Sequence, residues 1–352
     1  MEFGPMLSPL LDPAEDRLSF YDGKSGGPRR PETYKLYKEL QGSHWTVEEH
    51  KDILAEDQRQ WVTLPERYKR FARRPLGFFL YGDDLVIRNL VTNFLTCIKM
   101  PEARAFYEEQ AAQERTHSEA YALQVFGVMD REEAAALERD AQTWPEIAFL
   151  INWADAWMTP AVNVWDRLLA YGSIEGVVFS SAFAALQFFR EENILPGITT
   201  FNEFIARDEG MHCDFAVHLL NSYAGSSFPD QARAYAIVGG AVDGAIALGE
   251  AALRKEPSEG SDGPEYERFP SGMTVERLSD YVRWTANVYL QQLGFPSLYR
   301  DVTKNPLPFM DKMVLNRVSK TNFFEYRPTQ YQGARTDTFA WGEVDESPLR
   351  VG

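Results

Sequence analysis

EARAFYEEQAAQERTHSEAY (102–121) and LPGITTFNEFIARDEGMHCDFA (195–216) each carry a glutamate three residues before a histidine, Glu114 with His117 and Glu209 with His212. Residues at i and i+3 share one face of an α-helix, so each pair offers a carboxylate oxygen and an imidazole nitrogen to one ion. Two such helices facing each other, each beside a helix with a lone carboxylate, build a di-metal carboxylate site inside a four-helix bundle. A single pair of this kind is more simply a solvated surface pair. Two of them, each in a strongly helical segment and using two of only five histidines, carry more weight.

Working outward, a six-ligand site needs two further carboxylates. Glu175 opens EGVVFSSAFAALQFF, a helix that is otherwise apolar, and a buried carboxylate is expensive unless it is paired or bound to a cation. Asp83 and Asp84 precede LVIRNLVTNFL, and the residues alone do not choose between them. All three acids also suit an ordinary first helical turn, where the helix dipole favours negative charge. Tyr121 lies four residues after His117 and returns to the face of Glu114, leaning back toward it. Phe179, Phe183 and Ile205 fall on stripes that would wall in its phenol, although all of them also serve as plain core residues.

Helical patterns run through most of the chain. Segment 31–40 reads as helical, and Thr46 with Glu49 forms a candidate capping box. A long helical stretch covers 64–95, with a break or kink expected at Arg74-Pro75. Further helices are expected over 102–126, 131–142, 144–170, 174–191, 199–223, 229–255 and 274–300, with turns at 193–197 and a polar loop before 274. No long stretch alternates as a strand would, so the fold class is all-α. Residues 1–33 read as an irregular arm, 34–324 as the helical domain and 325–352 as a polar, aperiodic tail.

The net charge of −16 argues against a nucleic-acid partner. The N-terminus has no basic, apolar leader, and the most apolar stretch, 235–248, contains Asp243 and is too short to span a bilayer. Cys97 and Cys213 form no Cys-x-x-Cys motif. A reduced, cytoplasmic protein with no membrane partner is the simple reading.

At this point the residues resemble a known family, the small, radical-generating subunit of class I ribonucleotide reductase. Segments 102–121 and 195–216 resemble its two Glu-x-x-His helices, EGVVFSSAFA (175–184) and GDDLVIRNLV (82–91) its other two metal helices, and SHWTVEE, NPLPFM and KTNFFE further family segments. The resemblance runs over about residues 33–332. It implies a ferritin-like helical bundle whose metal ligands are Asp83, Glu114, His117, Glu175, Glu209 and His212, with Asp84 at a non-ligand position. It puts Tyr121 on the radical tyrosine, and Trp45 and Asp208 on the electron path leaving the metals through His117. Tyr331 falls on the tail tyrosine that relays the radical between subunits.

The implied cofactor is two metal ions per chain, iron in both positions first, with manganese–iron or two manganese ions as the other assignments. The implied partners are molecular oxygen, a second copy of the chain in a homodimer, and the large catalytic subunit that reduces ribonucleotides. Arg88 departs from the family's usual glutamate, 235–249 is rich in Gly and Ala, and ESPLRVG is unlike the acidic–aromatic docking end, though Phe339 and Trp341 offer apolar anchors. Two competing readings are a ferritin-like oxidase acting directly on a bound small molecule and an iron-storage or structural bundle. The first gives Trp45, Asp208 and Tyr331 no reason to occur together, and the second predicts a cage assembly that takes up iron far beyond the di-metal site.

Overall fold

The computed structural model describes residues 8–17, 19–23, 26–89, 94–256, 263–311 and 313 and, for residues 83–89, the backbone alone. The helices are α1 (Pro31–Gly42), α2 (Leu54–Thr63), α3 (Glu66–Asn89), α4 (Pro101–Val128), α5 (Arg131–Ala141), α6 (Pro145–Trp157), α7 (Val164–Ser173), α8 (Phe179–Glu191), α9 (Pro196–Tyr223), α10 (Gln231–Leu253) and α11 (Val275–Gln292). Among the described residues there is no strand, only isolated bridges between Tyr21 and Pro28 and between Arg254 and Tyr266. The all-α expectation holds.

Helix starts follow local chemistry. Proline stands in the first turn of α1, α4, α6 and α9, where its missing N–H costs nothing. Asp130, Asn163 and Asp230 cap α5, α7 and α10 through their side chains. Helix α9 lacks such a cap of its own, because the residue before Pro196 is Leu195, held left-handed at φ 52°. Asp57 of α2 supplies the cap from outside, accepting from Gly197 N at 2.8 Å and Ile198 N at 2.6 Å. A Cβ on Gly197 would stand 2.8 Å from Asp57 Oδ2, so only glycine admits this approach.

Several boundaries differ from the sequence expectation. Helix α3 runs unbroken through Pro75. Buried Phe71, Ala72, Leu76, Phe78 and Phe79 hold both of its halves against one core, which outweighs the local penalty of the proline. The stretch 144–170 is two helices, because Pro160 interrupts it and Asn163 starts the next. No break falls at Ile174; α7 passes through a π turn, Ile174–Val178, directly into α8. Helix α11 stops at Gln292, where Gly294 takes φ +82° and Pro296 follows. Thr46 makes no side-chain cap, and the 3₁₀ turn Val47–Glu49 is closed by Glu49 N donating to Thr46 O at 3.3 Å.

The apolar stretch 235–248 lies inside the 23-residue α10, which falls within the helix expected over 229–255 and is started by Asp230. By length and composition Val164–Glu191 and Gln231–Leu253 could each cross a membrane, but protein encloses the first completely and about half of the second (56% of its most apolar window). The glycines of α10 serve packing: added Cβ atoms at Gly240 and Gly244 would meet Trp153 at 2.7 Å and Leu150 at 2.3 Å. The described residues before α1 hold only a short 3₁₀ turn, Pro13–Glu15, yet Leu10 is fully buried and its carbonyl accepts from Lys99 N at 2.8 Å. The tail 325–352, with Tyr331, Phe339 and Trp341, lies outside the described residues, as does Phe324.

Candidate metal centre

Helices α4 and α9 and the π turn bring the site residues together in the middle of the bundle. Glu114, His117, Glu175, Asp208, Glu209 and His212 are all fully buried. One ligand atom from each of Glu114, Glu175, Glu209 and His212 lies within 4.8 Å of the others. His117 joins them, its Nδ1 being 3.3 Å from Glu114 Oε2 and 3.0 Å from Glu209 Oε1. His212 Nδ1 stands 3.2 Å from Glu114 Oε1 and 2.7 Å from Glu209 Oε2. Five of the six ligands expected from the sequence therefore converge. Asp83 falls on α3 with its side chain outside the described residues, as do those of Asp84 and Arg88.

Glu175 reaches the cluster from the π turn, a widened turn often found where a helix serves a function. Gln110 of α4 lies between two of the acids, its Nε2 donating to Glu114 Oε1 at 3.2 Å and Glu175 Oε1 at 3.1 Å, and it also contacts the Tyr171 hydroxyl. Sequence reading missed Gln110, although its place one turn before Glu114 puts it on the same helical face.

The electrostatics describe a cation-seeking site. Three fully buried glutamates share it, and the basic groups paired with Glu114 and Glu209 among the described residues are the two imidazoles. Burial alone would lower both histidines, but the Glu209 charge together with the contacts to Glu114 and Glu209, and to Asp208 for His117, outweighs it, holding His212 at about 9 and His117 well above its ordinary value. Burial, with the charges of Glu209 and Glu114, pushes Glu175 well up. Burial would also raise Glu209, yet the two imidazoles drive it far below the usual carboxylate range.

Glu114 Oε2, His117 Nδ1 and Glu209 Oε1 are buried without a hydrogen bond, although the nitrogen faces both oxygens at close range. Two carboxylate oxygens and an imidazole nitrogen converging in a buried space with no hydrogen bond to join them suit a shared cation. The mix of carboxylates and imidazoles matches the donors that iron and manganese accept. The residues present therefore fit a metal centre.

On the far side of His117, Nε2 stands 3.2 Å from Asp208 Oδ2, and the same oxygen accepts from Trp45 Nε1 at 2.8 Å. The Trp45 ring stacks near His117 at 6.0 Å between centroids. Burial would raise the Asp208 carboxyl, but Arg207 and the donors from His117 and Trp45 hold it below its ordinary value. A carboxylate on the remote imidazole nitrogen fixes the ring's tautomer and leaves Nδ1 free to ligate. Asp208 thus links Trp45 to His117 through one carboxylate oxygen.

Tyr121 is fully buried and stacks face to face on Phe79 of α3, centroids 4.3 Å apart and planes 6° from parallel. Phe179 and Phe183 pack on Phe79 at 5.6 and 5.1 Å. The sequence expectation had named Phe179, Phe183 and Ile205 as the wall around the phenol. It missed Phe79, which reaches Tyr121 from another helix.

Comparison with known proteins identifies the family. The family described as "Ribonucleotide reductase, small chain" matches residues 28–306. The ribonucleoside-diphosphate reductase small chain of African swine fever virus (isolate Pig/Kenya/KEN-50/1950) is 37% identical over 316 residues, covering 89% of this chain and 92% of the relative. That of Nicotiana tabacum is 33% identical over 330 residues, covering 93% and 92%. Among solved structures, the ribonucleotide reductase Rnr4 homodimer of Saccharomyces cerevisiae superposes with a TM-score of 0.69 at 23% identity, covering 83% of this chain and 88% of that one. The dimanganese(II) NrdF of Streptococcus sanguinis gives a TM-score of 0.68 at 14% identity, covering 86% and 100%. With matches along most of its length and a buried Glu/His cluster in a helical bundle, the chain belongs to the ribonucleotide reductase small-chain family, and is the small subunit of a ribonucleoside-diphosphate reductase, an oxidoreductase.

Proposed function

We propose that Asp83, Glu114, His117, Glu175, Glu209 and His212 hold two metal ions, and that Tyr121 stores the oxidising equivalent as a tyrosyl radical. When bound, the ions supply the capacity to use molecular oxygen to withdraw one electron from Tyr121. Iron in both positions is the first assignment, with manganese–iron or two manganese ions as the others. The stack with Phe79, backed by Phe179 and Phe183, keeps water from the phenol and so protects the radical. Asp208 holds His117 and the Trp45 indole in one hydrogen-bonded chain, which offers a route for the hole away from Tyr121. Tyr331, in the tail, would pass it to a large catalytic subunit that reduces the ribonucleotide. The proposed organisation is an arm over 1–33, the radical-generating domain over 34–324 and a docking tail over 325–352. The proposed working form is a cytoplasmic homodimer.

The observation that carries this reading is the buried convergence of two Glu-x-x-His pairs with Glu175, joined through Asp208 to Trp45. It is tested by anaerobic loading with ferrous iron, exposure to oxygen and low-temperature EPR, with metal counted on the same sample. Tyr121→Phe should keep about two ions per chain while losing the tyrosyl doublet and turnover. An unchanged doublet and full turnover in that variant would refute the assignment.

A further inference from the structure

We propose that Gln113 is the positioning residue for His212, and that through it both imidazoles of the centre are anchored on one short segment, residues 40–45. The proposal rests on the metal reading of the site. Gln113 is 2% exposed and sits on α4 immediately before Glu114. Its side-chain amide makes three polar contacts. Nε2 donates to Leu40 O at 3.1 Å and to Ser43 Oγ at 3.0 Å. Oε1 faces His212 Nε2 at 3.0 Å.

These contacts settle the hydrogen positions by elimination. A backbone carbonyl only accepts, so the amide nitrogen must face Leu40 and the amide oxygen must face the imidazole. An amide oxygen also only accepts, so His212 Nε2 carries the hydrogen. In the neutral ring that ligates, Nδ1 then presents its lone pair to the space it shares with Glu114 Oε1 and Glu209 Oε2. Gln113 thus does for His212, with a neutral acceptor, what Asp208 does for His117 with a charged one.

The two arrangements share an anchor. Ser43 Oγ accepts from Gln113, and Ser43 O accepts from Arg207 Nη2 at 2.8 Å. Arg207 also grips Asp208 Oδ1 through Nη2 at 2.8 Å and Nε at 3.0 Å. Asp208 in turn meets His117 and Trp45. Residues 40, 43 and 45 therefore fix the outer nitrogen of each imidazole through one intervening side chain. The orientation of His212 depends on the end of α1, a part of the chain that supplies no ligand.

The test uses the full-length protein with Fe(II) alone, and separately Mn(II) alone, under anaerobic chelator competition. Gln113→Met keeps the side chain's length and removes every hydrogen bond. It should weaken binding about 10- to 100-fold, the usual effect of losing such a partner on a ligating histidine. Gln113→Glu retains an acceptor for His212 Nε2 and, buried and uncharged, keeps a hydroxyl that donates to Leu40 O in place of the amide nitrogen, so the Ser43 hydroxyl keeps its own bond to that carbonyl. This variant should bind within a few-fold of the parent. Thermal melting of the metal-free proteins reads packing separately. Wild-type affinity in Gln113→Met overturns the proposal. Equal weakening in both variants, accompanied by equal losses of metal-free melting temperature, assigns Gln113 to packing and also overturns it. Failure of the parent protein to take up two ions per chain overturns the metal reading, and the proposal with it.

Discussion

Asp57→Asn should flatten the dependence of folding stability on pH. Asp57 is fully buried and caps α9 in place of Leu195, so its carboxylate is caught between two opposed effects. Burial raises its pKa, the two N–H donors of Gly197 and Ile198 lower it, and burial prevails, leaving it at about 6. An unfolded aspartate titrates near about 3.9. The folded state therefore binds the proton more tightly than the unfolded state, and stability falls as pH rises from about 4 through about 6. The gap of about two units corresponds to about 3 kcal/mol in full, of which about 2 kcal/mol separates pH 4.5 from pH 7.5.

Asparagine cannot titrate, and it can satisfy only one of the two donors, which costs about 1–3 kcal/mol. The variant should be clearly less stable than the parent at pH 4.5 and close to it at pH 7.5. Urea unfolding of both metal-free proteins across that range measures the difference, and other titrating groups cancel in the comparison. A parent–variant difference that does not change with pH would refute the balance assigned to Asp57. A difference that widens toward neutral pH would show instead that the N–H donors prevail over burial.

Two further outcomes follow from the packing and charge of the site. Metal uptake should release protons, because His212 titrates at about 9 and must lose its proton to ligate. Apparent affinity should therefore rise with pH up to about 9, by about tenfold per unit for each proton displaced, and calorimetry in buffers of different ionisation enthalpy counts those protons. Gly172→Ala would place a Cβ 2.4 Å from the Tyr289 hydroxyl and 3.1 Å from Ala216 Cβ. Overpacking of about 1–3 kcal/mol, offset by up to about 1 kcal/mol of helix propensity, should leave a net loss visible in the denaturant midpoint. Unchanged stability would mean that α7 can move away from α9 and α11 without penalty.

The centre was legible in the sequence because each Glu-x-x-His pair is a local object. Three residues of helix suffice to put both side chains on one face, and Glu175 stood out as a charge in an apolar run. Trp45 and Asp208 were reached by resemblance, since nothing local joins residues 163 positions apart. Phe79 was missed for the same reason: its stack on Tyr121 is a contact between helices. Gln113 gave no local signal, because its partners lie at the end of α1 and on α9. Of the break or kink expected at Pro75, the break did not form, because the local rule counts a lost hydrogen bond and cannot see the aromatic core that holds both halves of α3. The opposite error joined 144–170 into one helix, where the signals of Pro160 and Asn163 were present and were outweighed by the apolar pattern.

The π turn at Ile174–Val178 is, in effect, a one-residue insertion inside a helix that otherwise runs from Val164 to Glu191. One extra residue rotates everything beyond it by about 100° relative to an uninterrupted α-helix. The residues before Ile174 and those after Val178 therefore follow two different angular registers, and a single helical wheel drawn through both misassigns one half. Removing one residue from this turn would not shorten a loop. It would rotate Phe179 and Phe183 away from Phe79, or turn Gly172 away from α9, or divide the rotation between them. Length matters here for angular reasons: the chain carries a spare residue where the Glu175 carboxylate enters the core while both flanking helices keep their own neighbours.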